Sequence, residues 1–181
     1  GMYPRCLSGI LLSSLLFLFS ANSSVWAVGR GLITIDFDLA DGDQGSRVAG
    51  GATTGKVYDV QLYYRDILQI VGWSITIEYD SNAVRYVSAS FQPTDYIPGL
   101  LPLVDEQINY VALGGTVLGS GVSPTEPGVV GTLSFEIQEG FSDSTQLSIT
   151  INEFRFEEGG SEKYDVFSAV TITDNETLRG D

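Results

Sequence analysis

The sequence predicts an all-β fold, two antiparallel sheets packed as a sandwich, on three observations. Apolar and polar residues alternate with a period of two along most of 32–173. Clusters of Gly, Pro, Asn and Asp interrupt that alternation at intervals of one strand length. No segment between these clusters shows convincing helical periodicity. Short strands at this spacing, joined by Gly/Pro turns, are the pattern of a sandwich.

The first element, 32–38, places Ile33, Ile35 and Phe37 on one face and Thr34, Asp36 and Asp38 on the other. A loop rich in Gly, Asp and Ser follows over 41–55. The second strand, 56–64, sets Tyr58, Val60, Leu62 and Tyr64 against Asp59 and Gln61. The third, 71–79, is the strongest. Its Val71, Trp73, Ile75, Ile77 and Tyr79 oppose Ser74, Thr76 and Glu78, so Trp73 is expected in the core. Asp80-Ser81-Asn82-Ala83 carries the side-chain chemistry of an Asx turn and leads into a fourth strand at 84–91. An irregular turn ends at Pro98-Gly99, after which short strands are expected at 101–104 and 107–113. Gly and Pro dominate 114–128. Three last strands follow at 129–138, 146–156 and 163–173, with Phe135 in the apolar phase of the first. The reading is a nine-stranded, two-sheet β-sandwich.

Composition removes several functions. Among 181 residues there are 23 acidic and 9 basic side chains and no histidine, a formal net charge of −14 at pH 7. Without an imidazole the chain holds no Ser/His/Asp or Cys/His nucleophilic pair, and it lacks the histidine ligands of most catalytic zinc sites. Nucleic-acid binders show a basic patch, so nucleic acid is not an expected partner. Hydrophobic content of 43% with 11% aromatics is that of a globular chain. No cofactor and no metal are expected.

Residues 1–27 read as a secretory signal peptide. Arg5 precedes the apolar run 10–19, a polar stretch covers 20–24, and Val25-Trp26-Ala27 has the small residues of a cleavage site. The apolar run is short for a spanning helix. A membrane enters only if this segment stays uncleaved as an anchor. The one cysteine, Cys6, lies before the run, so cleavage after Ala27 would leave a cysteine-free mature domain that owes nothing to disulfides. The expected organisation is a signal peptide at 1–27, one sandwich domain at 28–173 and a short polar tail at 174–181, with the product secreted or held at the cell surface.

Three runs carry a family resemblance: 55–60 (Gly-Lys-Val-Tyr-Asp-Val), 71–84 (through Ile75-Thr76-Ile77-Glu78-Tyr79-Asp80-Ser81-Asn82-Ala83-Val84), and 128–137 (through Gly131-Thr132-Leu133-Ser134-Phe135-Glu136-Ile137). In order and spacing they resemble a cohesin module, whose strands include a Tyr-Asp-Pro-like turn and a later Gly-x-Leu-x-Phe strand. Ser81-Asn82 stands where a Pro is common after the Asp. The resemblance spans about 30–173 and implies a jelly roll that binds a partner without catalysis. The partner it implies is a dockerin, a small calcium-loaded helical module, docked on the sheet face of the eighth, third, sixth and fifth strands. In this sequence that face is expected to carry Ser74, Thr76, Glu78, Asp105, Glu106, Asn109, Val111, Ser148, Thr150 and Asn152. Alternation alone would also make these residues an ordinary solvated face.

Other features compete. Asp36, Asp38, Asp41 and Asp43 suggest a calcium loop, but counting from Asp36 puts Ala40 at the fifth position and Asp41 where the EF-hand needs Gly. The favoured reading of Asp41 and Asp43 is a solvated acidic loop. Glu78 and Glu136 are the candidate pair for a glycosidase, yet both sit on outward strand faces without a sugar platform beside them. The runner-up function is carbohydrate binding through exposed aromatics, for which Tyr63, Tyr96, Tyr110 and Tyr164 are the candidates.

Overall fold

The structure is a computed structural model that describes residues 32–65, 68–164 and 168–176. The expected signal peptide at 1–27 and the end of the tail, 177–181, lie outside the described residues. The described residues form twelve strands: β1 (Ile33–Asp36), β2 (Val48–Ala49), β3 (Val57–Tyr64), β4 (Ile70–Tyr79), β5 (Val84–Tyr86), β6 (Gln92–Pro93), β7 (Leu100–Glu106), β8 (Tyr110–Val117), β9 (Gly128–Ile137), β10 (Ser144–Phe156), β11 (Ser161–Tyr164) and β12 (Ser168–Thr173). One sheet runs β1-β3-β9-β5, with β6 also on β9; the other runs β2-β12-β10-β4-β8-β7, with β11 on β10. Every pairing is antiparallel except that of β2 with β12.

All nine expected strands are present, and the higher count has local causes. Of the expected strand 84–91 only β5, at Val84–Tyr86, is strand; the chain then turns around Ala89, whose φ is +60°, and meets β9 again as β6, just beyond the expected bounds. The expected strand 163–173 is β11 and β12, which pair with different stretches of the 13-residue β10. β2 follows the first loop and crosses to the second sheet.

Alternation becomes burial because one side chain in two faces the space between the sheets. Ile33, Ile35, Val60, Leu62, Tyr64, Val84, Leu133, Phe135 and Ile137 enter it from one side. Trp73, Ile75, Ile77, Val111, Leu113, Leu147, Ile149, Phe154, Val170 and Ile172 enter from the other. Rings interlock in the layer: Phe135 meets Tyr79 of the opposite sheet edge-on at 5.6 Å and its own strand partner Tyr86 at 6.0 Å, and Trp73 meets Phe91 at 6.1 Å. The expected core positions Trp73 and Phe135 are buried. Gly55, at φ +82°, makes the turn into β3 and donates its N–H to the Ile137 carbonyl.

One strand departs from its alternation. All four residues of β1 are buried, including Thr34 and Asp36, because the loop 37–47 folds over its outer face. Asp36 accepts hydrogen bonds from the amides of Asp38, Gly45 and Ser46, and Arg47 lies 3.4 Å from its carboxylate. Gln61 on β3 is buried under the same loop and donates to the carbonyls of Ala40 and Gly42. The loop is therefore fixed by buried polar side chains of β1 and β3 that take up its backbone groups.

Candidate functional site

The candidate site is the outer face of β10, β4, β8 and β7, which are consecutive in the larger sheet. These are the eighth, third, sixth and fifth strands of the sequence reading. Register assigns the residues of this face in rows, because Cα partners across an antiparallel pair point the same way. Ser148, Glu78 and Tyr110 form one row; Ile151, Thr76, Ala112 and Asp105 the next; Glu153, Ser74, Gly114 and Leu103 the third; Arg155, Gly72, Thr116 and Leu101 the fourth. Ser74, Glu78 and Asp105 are exposed, and Thr76, Ser148 and Thr150 are half-buried. Thr150 donates to Glu78 at 3.3 Å. Asn109 is exposed in the β7–β8 turn, where its carbonyl accepts the Tyr79 N–H.

Three expected members do not lie on the face. Asn152 is 0% exposed. A bulge between Ile149 and Ile151 adds one residue to β10 opposite β4, so every later side chain exchanges faces. Ile151, 41% exposed, takes the outward place opposite Thr76, and Asn152 turns in to accept the Ile33 N–H at 3.2 Å. Val111 is also fully buried, since it pairs with core residue Ile77. Its segment has apolar residues at both parities, Ile108, Tyr110 and Ala112 against Val111 and Leu113, so alternation alone did not fix its phase. Glu106 pairs with Val111 and shares its parity. At the sheet edge its carboxylate reaches the other side of the sandwich and accepts hydrogen bonds from Ser88 Oγ at 3.0 Å and the Ala89 amide at 3.2 Å.

The sequence reading missed the apolar part of the face: Ile151, Ala112, Leu101 and Leu103, of which the two leucines are 49% and 57% exposed. The available signal was the run Leu100-Leu101-Pro102-Leu103-Val104. Pro within a strand marks an edge, where one side chain in two of such a run is left outside. On this face Lys163 pairs with Glu153 at 3.3 Å and Arg155 donates to Thr116 at 3.0 Å, so both cations have partners.

The competing sites are taken apart by the fold. Glu78 is on β4 and Glu136 on β9, outward on opposite sheets, so the two carboxylates cannot flank one sugar. Tyr63 belongs to the smaller sheet and Tyr110 to the larger, while Tyr96 and Tyr164 pack against Tyr64 and Phe154; the four do not share a plane. Asp43 is not a solvated acid. Its side chain is 6% exposed, and Arg47 donates to both its oxygens at 2.7 and 2.8 Å, with further bonds from Thr34 and Gly45. Burial raises its pKa, but the hydrogen bonds from Arg47, Gly45 and Thr34 outweigh burial and hold it at about 2.

No family model and no curated protein matches the chain. Solved structures do match in fold. A cohesin module from a family 33 glycoside hydrolase of Clostridium perfringens superposes with TM-score 0.60 at 13% identity, covering 80% of this chain and 96% of that one. A non-cellulosomal cohesin from the archaeon Archaeoglobus fulgidus gives 0.59 at 13% identity, covering 82% and 93%. The sixth cohesin of scaffoldin B from Acetivibrio cellulolyticus, solved in complex with a dockerin, gives 0.57 at 14% identity, covering 80% and 99%. The fold is that of a cohesin-like β-sandwich, as the resemblance implied.

Proposed function

We propose that this domain is a non-catalytic recognition module that binds a protein partner, of dockerin type, on the outer face of β10, β4, β8 and β7. The observation that carries the reading is the makeup of that face: exposed Leu101, Leu103 and Ile151 interleaved with Ser74, Thr76, Glu78, Asp105, Ser148 and Thr150, on a rigid sheet. Interfaces need this mixture of an apolar centre and a polar surround. The fold likeness to cohesins captured with dockerins supports the choice of partner. Export by a cleaved segment at 1–27 belongs to the same reading, as do a domain at 28–173 and a place outside the cell or on its surface.

Thr76→Arg tests it. Thr76 is at the middle of β4 and alternates with core residues Ile75 and Ile77, so it can be replaced without opening the core. An unpaired cation at the centre of an interface must be desolvated, at a cost of several kcal/mol. Calorimetry of the domain from residue 28 against calcium-loaded dockerins is expected to give binding that Thr76→Arg abolishes, with an unchanged thermal melt. Equal affinity for both proteins would remove this face from the reading.

A further inference from the structure

We infer that a groove on the outer face of the smaller sheet, between the loop at Asp41 and the turn at Pro127, binds a neutral sugar. It lies on the opposite sheet from the recognition face and stands or falls independently of it.

Two pinned segments make the walls. Gln61 is 1% exposed and donates to the carbonyls of Ala40 and Gly42 at 3.1 and 2.7 Å, so the backbone on both sides of Asp41 is held. Gln44 donates to the Asp41 carbonyl at 2.8 Å. Across the groove, the turn before β9 is tied by Tyr96, whose hydroxyl donates to the Glu126 carbonyl at 2.6 Å, and by Thr94, which donates to the Val129 carbonyl. The floor comes from a bulge. β9 pairs Gly131 with Leu62 but Val129 with Tyr63, so Val130 turns inward, 2% exposed, and Val129 lies beside Tyr63 on the outer face. The groove, of about 360 Å³, is lined by Asp41, Gly42, Tyr63, Pro127, Gly128 and Val129. That is the small end of the range for ligand clefts, about 300–1,000 Å³.

The lining offers two kinds of surface. Tyr63, Pro127 and Val129 supply apolar area for the C–H face of a sugar ring. The Asp41 carboxylate and the Tyr63 hydroxyl have no hydrogen-bond or ion-pair partner among the described residues. A carboxylate accepts, and a phenol both donates and accepts, so the pair matches neighbouring sugar hydroxyls. Charge narrows the class. Arg65, two residues along β3, is drawn to Asp43 at 3.3 Å, and the chain carries −14, so an anionic ligand would be repelled. A single free carboxylate gives a metal ion too few ligands. A neutral saccharide uses every group present, and one ring needs no coplanar row of tyrosines.

The test is a nuclear magnetic resonance titration of the domain from residue 28, which holds every described strand, with glucose, galactose, mannose, xylose, N-acetylglucosamine and cellobiose as probes. At least one probe is expected to give saturable shifts centred on the amides of Gly42, Tyr63 and Gly128. Tyr63→Ala and Asp41→Ala are each expected to weaken that binding at least tenfold, with unchanged thermal melts. The Asp41 carboxylate makes no bond within the fold, so Asp41→Ala keeps the test valid if Tyr63→Ala disturbs β3. No saturable shift with any probe, shifts centred elsewhere, or an affinity that Asp41→Ala leaves unchanged overturns the inference.

Discussion

Replacing Asn152 separates two placements of the same residue. On an outward face, Asn152→Ala would change stability by a few tenths of a kcal/mol. In the structure Asn152 is fully buried and its Oδ1 is the acceptor for the Ile33 amide, a bond from β10 to the edge strand of the opposite sheet. Truncation leaves that amide buried and unpaired, which costs about 1–3 kcal/mol. The gain in return is small: Asn152 Nδ2 has no acceptor among the described residues, so removing it relieves part of a desolvation cost already present. The net expectation is a loss of about 1–2 kcal/mol, a fall in Tm of roughly 2–8 °C for a domain of this size. Asn152→Asp sharpens the sign. An aspartate there would be buried with a raised pKa, so the variant is weakest at neutral pH and recovers relative to the parent as pH falls through that folded-state pKa. The assay is urea unfolding of parent, Asn152→Ala, Asn152→Asp and the outward control Ile151→Ala between pH 4 and 7. An Asn152→Ala variant as stable as Ile151→Ala would refute the bulge and the inward turn derived from it.

Trp73→Ala is expected to cost about 3–5 kcal/mol through lost burial and the cavity left beside Phe91, read by chemical denaturation. Asp43→Asn is expected to lower stability by about 1–2 kcal/mol at pH 7 by weakening the charged bonds to Arg47. Asp43 has its pKa depressed from 3.8 to about 2, so its contribution is present above about 4 and is lost as pH falls toward 2; melts of parent and variant should converge over that interval. Glu106→Ala should speed hydrogen exchange at the Ala89 amide, which its carboxylate holds, with no loss in core amides. The domain from residue 28 has no cysteine, so its melting temperature should be the same with and without dithiothreitol.

Alternation determined most of this fold in advance, because a side-chain period of two states which residues of a strand must leave water. It placed Trp73, Ile75, Ile77 and Phe135 in the core, and Ser74, Thr76 and Glu78 outside. The cohesin resemblance named the four strands that turned out to be consecutive in one sheet. Alternation has no means of registering an inserted residue, so the bulge at Thr150 that exchanges Ile151 with Asn152 was settled only by pairing with β4. It was equally silent where both parities are apolar, as around Val111, and where a loop covers an outward face, as over Thr34, Asp36 and Gln61. The close packing of β8 on β4 at Gly114 belongs to the same class: its glycine is legible in the sequence, but that the Trp73 carbonyl leaves no room for a Cβ there depends on residues about forty apart, and only tertiary packing sets such distances.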